Sequence, residues 1–106
     1  MVDNSMKQAI EIICVNLPAL RGMMNITQQQ MAEQIGTSRQ GIINYEHQEK
    51  KLTRSMLIAI VTYFSLRGRS AAYLKTLGLY KNAYINSLGF TELLCDHIVE
   101  NSTMEN

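Results

Sequence analysis

Two short apolar stripes on either side of Gly36 constrain the fold of this chain more than any other feature of its sequence. Thr27 and Gln30 have the spacing of a capping box, which marks the start of a helix. Gly36 is suited to end that helix because glycine tolerates a positive φ, and Ser38 can cap a second helix directly after it. The pattern predicts two short helices joined by a tight turn. Their apolar residues are Met31, Ala32 and Ile35 before the turn and Ile42, Ile43 and Tyr45 after it.

The segment before this pair is predicted to be helical as well. Ser5 with Gln8 fits a capping box at its start. Pro18 lies inside the helical pattern and removes a backbone donor, so we expect either a kink or two abutting helices that meet near Asn16. The apolar residues recur at steps of three or four, the spacing of one helix face: Ile10, Ile13, Leu17, Leu20 and Met24.

The segment after the pair continues in helices. Residues 47–53 read as a polar loop, and Thr53 can cap a fourth helix. Gly68, Gly78 and Gly89 divide the remainder into helical pieces at 69–77, about 80–88 and about 90–100. The fourth helix has a strong apolar stripe: Met56, Leu57, Ile60, Val61 and Phe64.

Composition limits the class of protein. A chain of 106 residues with 46% apolar and 18% charged residues has material for one packed domain and is unlike disordered sequences. Cys14 and Cys95 lie far apart, as do His47 and His97, so we predict no metal site and no cofactor. Glycine-rich phosphate loops, nucleophile elbows and paired catalytic carboxylates are lacking, which argues against an enzyme. We expect a small, soluble, cytoplasmic protein without membrane association.

The net charge of +1 conceals an uneven distribution. Residues 1–38 have a balance of −1, and residues 82–106 have a balance of −4. Residues 39–81 contain eight Lys and Arg against Glu46 and Glu49, a balance of +6. A basic middle segment can attract phosphate even where an acidic tail cancels it in the total, although a solvated helix face would have the same composition.

Residues 26–60, ITQQQMAEQIGTSRQGIINYEHQEKKLTRSMLIAI, resemble the Xre/Cro-type helix-turn-helix domain of bacterial and phage repressors. With LPALR at 17–21 and the rest of the fourth helix, the resemblance covers about residues 7–66. It implies an all-α fold: a lambda-repressor-like helix-turn-helix domain of four to five helices. We expect that domain at 1–66 and a short C-terminal helical extension at 67–106, both in the same compact unit.

The resemblance also implies a DNA-binding surface. In this family the third helix, here at about 38–47, enters the major groove and its N-terminal residues reach base edges. Arg39, Gln40 and Asn44 would then contact bases, because arginine can bind guanine bidentately and the amides can bind adenine. Contacts to DNA phosphates are expected from Gln28, Thr37, Ser38, Lys50, Lys51 and Arg54.

Two further features follow from the family pattern. Arg21 and Glu46 match a structural ion pair that braces the first helix against the end of the third. The chain departs from the family at His47-Gln48, where Asn-Gly is common, so the turn is expected to differ there. Gly41 occupies a small-residue position inside the third helix, where it either permits a close approach or is neutral.

The expected function is that of a sequence-specific DNA-binding transcriptional regulator, and more specifically a repressor. Two alternatives remain open: the antitoxin of a toxin–antitoxin pair, which would bind a toxin as well as DNA, and a helical protein-interaction module that does not bind DNA. A homodimer is expected because the family reads two half-sites. Apolar residues of 67–106 either pack on helices 1 and 4 or form the dimer interface: Leu74, Leu77, Tyr80, Tyr84, Ile85, Leu88, Phe90, Leu93, Leu94 and Ile98.

Overall fold

A computed structural model describes residues 4–91, and this part of the chain is built from six α-helices and one short 3₁₀ helix. No β-strand is present between residues 4 and 91, which confirms the predicted all-α class with a helix-turn-helix domain. The helices are α1 Ser5–Met24, α2 Gln28–Ile35, α3 Arg39–Glu46, α4 Arg54–Ser65, α5 Gly68–Thr76, the 3₁₀ helix Leu79–Lys81 and α6 Ala83–Ser87. The helix expected at about 90–100 falls mostly outside the described residues, as do Leu93, Leu94, Cys95, His97 and Ile98.

The first helix, α1, corrects two details of the sequence-based prediction. It continues through Pro18 without a break, so the alternative of two abutting helices is wrong. Leu17 before the proline and Leu20 after it are fully buried, and this packing holds the helix together where one backbone bond is missing. Asn4, not Ser5, occupies the N-cap position and makes no side-chain capping bond. The predicted capping box of Ser5 and Gln8 is therefore wrong.

The ends of α2, α3 and α4 lie where the capping signals predicted them. Thr27 and Gln30 form a reciprocal capping box, with the Gln30 N–H donating to Thr27 Oγ1 at 3.0 Å and the Thr27 N–H to Gln30 Oε1 at 2.8 Å. The hydroxyl of Ser38 accepts from the Gly41 N–H at 3.0 Å. The hydroxyl of Thr53 accepts from the Met56 N–H at 3.1 Å, which starts α4.

The core lies between α1, α4 and the helices packed on them. The apolar stripe predicted for α4 is buried at Leu57, Ile60, Val61 and Phe64, while Met56 is partly buried. Other fully buried side chains come from almost every helix: Ala9, Ile13, Leu17, Leu20, Met31, Ala32, Ile42, Ala71, Leu74, Leu79 and Ile85. One cluster thus joins the helix-turn-helix pair to the C-terminal helices.

The C-terminal helices pack on α1, and α5 also packs on α4. Leu74, Tyr80 and Ile85 lie inside the core, so for these three residues the structure shows the first alternative, packing within the fold. They are buried because α5 and α6 fold back onto α1. The apolar faces of these helices are therefore covered by the same chain. Leu77, Tyr84 and Phe90 also pack against this cluster while remaining partly exposed.

Length and hydropathy together decide whether a helix could span a membrane. Between residues 4 and 91, no single helix is long and apolar enough to cross a membrane. The α1–α2 pair, bent by 102° at its junction, passes the same test of length and composition when taken together.

Candidate nucleic-acid interface

The turn between α2 and α3 is shaped by backbone bonds at the end of α2. Gly36 has a φ of 82°, and its N–H donates to the carbonyl of Ala32 at 3.0 Å. The N–H of Thr37 donates to the same carbonyl at 2.9 Å. Ala32 is fully buried, so α2 and α3 approach each other over a small side chain. These bonds direct the chain out of α2 and into α3 within three residues.

Helix α3 has one buried and one exposed face. Ile42 and Tyr45 are buried and anchor the helix in the core. Arg39 and Gln40 are exposed at its N-terminal end, and Asn44 is partly exposed one turn later. Gln40 Nε2 donates to Asn44 Oδ1 at 2.9 Å, so the two amides predicted to contact bases lie side by side. The fold therefore leaves all three predicted base-contacting residues on the side of α3 away from the core and brings two of them, Gln40 and Asn44, into contact.

A polar network links α3 to the two helices before it. Arg21 Nε donates to Glu46 Oε2 at 2.5 Å, and Arg21 Nη2 donates to Glu46 Oε1 at 3.2 Å. The side chain of Glu46 is only 4% exposed and that of Arg21 is 19% exposed. Gln28 Nε2 also donates to Glu46 Oε1, at 3.0 Å. One carboxylate thus joins α1, α2 and the end of α3.

This network bears on the expected role of Gln28. Its side-chain amide is engaged by Glu46, so a phosphate contact from Gln28 would use its backbone N–H at the start of α2. Arg39 lies beside this helix start: an open depression of about 490 Å³ is lined by Arg21, Gln28, Gln29, Arg39 and neighbouring residues. Gln29 was not among the predicted site residues, although its position in the run QQQ next to Gln28 could have suggested it.

The other predicted phosphate-contacting residues lie at the ends of α3 and α4. Thr37 is partly exposed, and Ser38 is exposed while its hydroxyl oxygen accepts the capping bond. Lys50 and Lys51 are exposed in the loop after α3, and the Nζ atom of Lys50 lies 6.0 Å from the centroid of the Tyr45 ring. Arg54 is exposed as the first residue of α4.

In the loop after α3, Gln48 stands at the position where the family pattern described above commonly has Gly. Gln48 adopts a φ of 58°, a left-handed conformation that Gly would adopt at lower cost. The N–H of Glu49 then donates to the carbonyl of Asn44 at 2.9 Å, which closes the turn. This turn leads directly into the basic pair Lys50 and Lys51.

Gly41 has a steric role that the sequence left open. A Cβ atom at this position would lie 2.7 Å from Thr37 Oγ1 and 3.3 Å from the capping hydroxyl of Ser38. The absence of a side chain at Gly41 therefore lets the turn residues fold closely over the first turn of α3.

The tertiary structure adds Lys7 to the basic surface. Lys7 lines the same cleft as Lys50 and Lys51, although it lies more than forty positions earlier in the chain. Its own segment has a negative charge balance, so no local signal pointed to it. In the described residues, 4–91, no group of three or more His, Cys, Asp or Glu side chains is placed to hold a metal ion.

A tight turn between two short helices, with one exposed polar face on the second helix, defines a helix-turn-helix protein. Comparison with known families agrees: the model of the helix-turn-helix domain matches residues 16–87, which is more than half of the chain. The chain belongs to this family. The match continues through α5 and α6 and so includes most of the C-terminal helices. Searches of curated proteins and of solved structures find no significant match. Helix-turn-helix domains bind DNA, which supports a DNA-binding regulator.

Proposed function

We propose that this protein is a sequence-specific transcriptional repressor of the Xre/Cro type, acting on DNA in the cytoplasm without catalysing a reaction. The observation that carries the proposal is that Arg39 and Gln40 are exposed, and Asn44 partly exposed, on a helix whose opposite face is buried. A recognition helix needs this division because its base-contacting side chains must be free while its backbone stays fixed relative to the DNA.

The chemistry of the exposed group suits base edges in the major groove. The guanidinium group of Arg39 can donate two hydrogen bonds to guanine O6 and N7. Gln40 keeps its carbonyl oxygen and Asn44 keeps its amino group while they are bonded to each other. The pair can therefore present both an acceptor and a donor, which is the pattern that adenine requires.

Contacts to the phosphate backbone would orient this helix on DNA. We assign them to the backbone N–H of Gln28, to Thr37 and Ser38 at the turn, and to Lys50, Lys51 and Arg54 after α3. A homodimer would double the base contacts by reading two half-sites about one helical turn apart. Repression would follow if bound protein excludes RNA polymerase from an overlapping promoter.

The test of base reading is to select binding sites from random DNA with the wild type, Arg39→Ala and Arg69→Ala. Arg69 is exposed on α5 and provides a control with the same loss of charge. The Arg39→Ala variant should lose about 1–3 kcal/mol of discrimination at one base position, while Arg69→Ala keeps the wild-type motif. An unchanged base preference in Arg39→Ala would overturn the assigned role of Arg39.

The phosphate contacts are tested by the salt dependence of binding to a selected site. Replacing Lys50 and Lys51 together by Ala should make the negative slope of log affinity against log salt shallower by about two. The control, Arg69→Ala with Lys81→Ala, removes the same charge from the C-terminal helices. Equal slopes for the two double variants would place Lys50 and Lys51 away from the DNA.

The proposed homodimer is tested by light scattering at tens of micromolar protein. Repression is tested with a promoter reporter.

A further inference from the structure

A cleft separates the N-terminal half of α1 from the loop that joins α3 to α4. It encloses about 460 Å³, which lies within the range of small-molecule sites, about 300–1,000 Å³. The residues on one side come from α1, including Lys7 and Ile10, and those on the other come from the loop. The function proposed above uses only Lys50 and Lys51 from this cleft.

The floor of the cleft is apolar. Cys14 and Leu52 are each only 3% exposed, and the partly buried Met6 and Ile10 pack on the same core. Burial raises the pKa of the Cys14 thiol above its usual value, which keeps the sulfur uncharged near neutral pH. An occupant of this floor would have to be apolar to gain free energy from leaving water.

The rim of the cleft is positively charged. Lys7, Lys50 and Lys51 line it, and among the lining residues within 4–91 Glu11 is the single acidic one. All three lysines are exposed. A molecule that fits this site therefore combines an apolar chain with a negatively charged head group.

We propose that this cleft binds a medium-chain aliphatic carboxylate, with its hydrocarbon chain along Met6, Ile10 and Leu52 and its carboxylate among the lysines. The carboxylate can accept hydrogen bonds from the lysine ammonium groups, and the hydrocarbon chain covers the parts of Met6 and Ile10 that are otherwise exposed to water.

Binding in the cleft would oppose DNA binding, and this step rests on the function proposed above. Lys50 and Lys51 line the cleft and are also the residues assigned to DNA phosphates. A carboxylate beside them neutralises charge that DNA would otherwise meet, so the ligand and DNA compete. Because coupling between two binding sites is reciprocal, DNA must weaken carboxylate binding by the same factor. The carboxylate would act as an inducer that releases a repressor.

Calorimetric titration of decanoate, below its critical micelle concentration, into the full chain without DNA tests the cleft. We expect saturable binding to the wild type and at least about tenfold weaker binding to Ile10→Trp, because an indole at this position fills the apolar site. Val15→Trp is the matched control, since it adds the same ring to α1 at a side chain that is 62% exposed and outside the cleft. No saturable binding to the wild type, or equal affinity in both variants, overturns the proposal.

A second pair of variants tests the charged rim without altering the core. Lys7→Glu reverses an exposed charge in the cleft and should weaken decanoate binding about fivefold. Lys81→Glu makes the same change on the 3₁₀ helix and should leave affinity unchanged. Equal effects of the two variants overturn the carboxylate position. Decanol, which lacks the charge, should bind more weakly than decanoate, and its binding should not respond to Lys7→Glu.

A cleft covered by a second copy of the chain would instead give a dimer that Ile10→Trp dissociates, which also overturns the proposal.

Competition is measured separately, as the affinity for a selected DNA site with and without saturating decanoate. Lower affinity for DNA in the wild type, abolished in Ile10→Trp, supports the inducer role. Decanoate binding that leaves DNA affinity unchanged overturns that role. Failure to bind any DNA contradicts the function proposed above, while the calorimetry without DNA still decides whether the cleft binds carboxylates.

Discussion

The helix-turn-helix pair and the C-terminal helices are both short and polar on one side, but they are held in different ways. The starts of α2 and α3 are set by an N-cap hydroxyl that accepts from the backbone N–H three residues later. Thr27 accepts from Gln30, and Ser38 accepts from Gly41. The start of α5 has no side-chain cap, since Arg67 occupies the N-cap position without making a capping bond. Apart from the local cap of α6 by Asn82, the C-terminal helices depend on side-chain bonds to more distant residues.

Those distant bonds are largely buried. The hydroxyl groups of Ser65 and Tyr80 lie 2.7 Å apart and share a hydrogen bond in the core. The Ser70 hydroxyl donates to the carbonyl of Phe64 at 2.7 Å, which ties α5 to the end of α4. Asn82 caps α6 and also donates from Nδ2 to the carbonyl of Ser5 at 2.8 Å.

The difference matters for function. A recognition helix must leave its polar face free for DNA, so its position is set by local caps and a buried opposite face. The C-terminal helices have no such requirement and use their polar groups within the fold. The exception in the helix-turn-helix pair is the carboxylate of Glu46, which joins three helices.

The largest effect on stability is expected at Glu46. Glu46→Ala leaves the partly buried Arg21 without its acidic partner and should lower the free energy of unfolding by about 3–5 kcal/mol. Urea denaturation measures it, with the exposed Glu49→Ala as a control that should change stability by no more than about 0.5 kcal/mol. A loss at Glu46 as small as that at Glu49 would show that local caps suffice to hold α3.

A smaller loss of stability is expected from a substitution in the C-terminal helices. Tyr80→Phe leaves the buried Ser65 hydroxyl without its partner and should cost about 1–3 kcal/mol in unfolding free energy. Tyr63→Phe removes the same group from an exposed hydrogen bond to Gln34 and should cost less than about 0.5 kcal/mol. If the two variants melt at the same temperature, the buried bond does not hold the C-terminal helices in place.

The smallest effects distinguish two helical glycines. A Cβ atom at Gly22 meets nothing within 4 Å, so Gly22→Ala should stabilise α1 by about 0.5–1 kcal/mol through helix propensity. At Gly41 the same change crowds Thr37 and Ser38, and overpacking should outweigh that gain for a net loss of about 1 kcal/mol. Thermal unfolding of both variants gives the comparison. Stabilisation by Gly41→Ala would mean that the turn residues move aside without cost.

Most helix boundaries could be predicted because their signals are local. Thr27, Gly36, Ser38 and Thr53 act on backbone groups within four residues of themselves, so their spacing in the sequence is enough to place α2, α3 and α4. The start of α1 was predicted wrongly by the same reasoning. Ser5 has a capping side chain, but it is buried under α6 as the first residue of the helix.

The candidate site divides in the same way. Arg39, Gln40 and Asn44 share a face because of helical periodicity alone, and the sequence was sufficient to group them. The proximity of Lys7 to Lys50 and Lys51 depends on how α1 crosses the loop after α3, which no local pattern records. The steric reason for Gly41 likewise appears only once Thr37 and Ser38 fold over it.

The sequence by itself determined the helical class, the caps around the turn and the polar face of α3, because hydrogen bonds and apolar spacing over a few residues are sufficient for these. Only the tertiary structure decided that Leu74, Tyr80 and Ile85 are core residues and that a cleft with a basic rim lies beside α1. An apolar stripe is compatible with burial inside one chain or between two chains, since the hydrophobic effect is not directional. The choice between them depends on which helices meet, and that is a property of the whole fold.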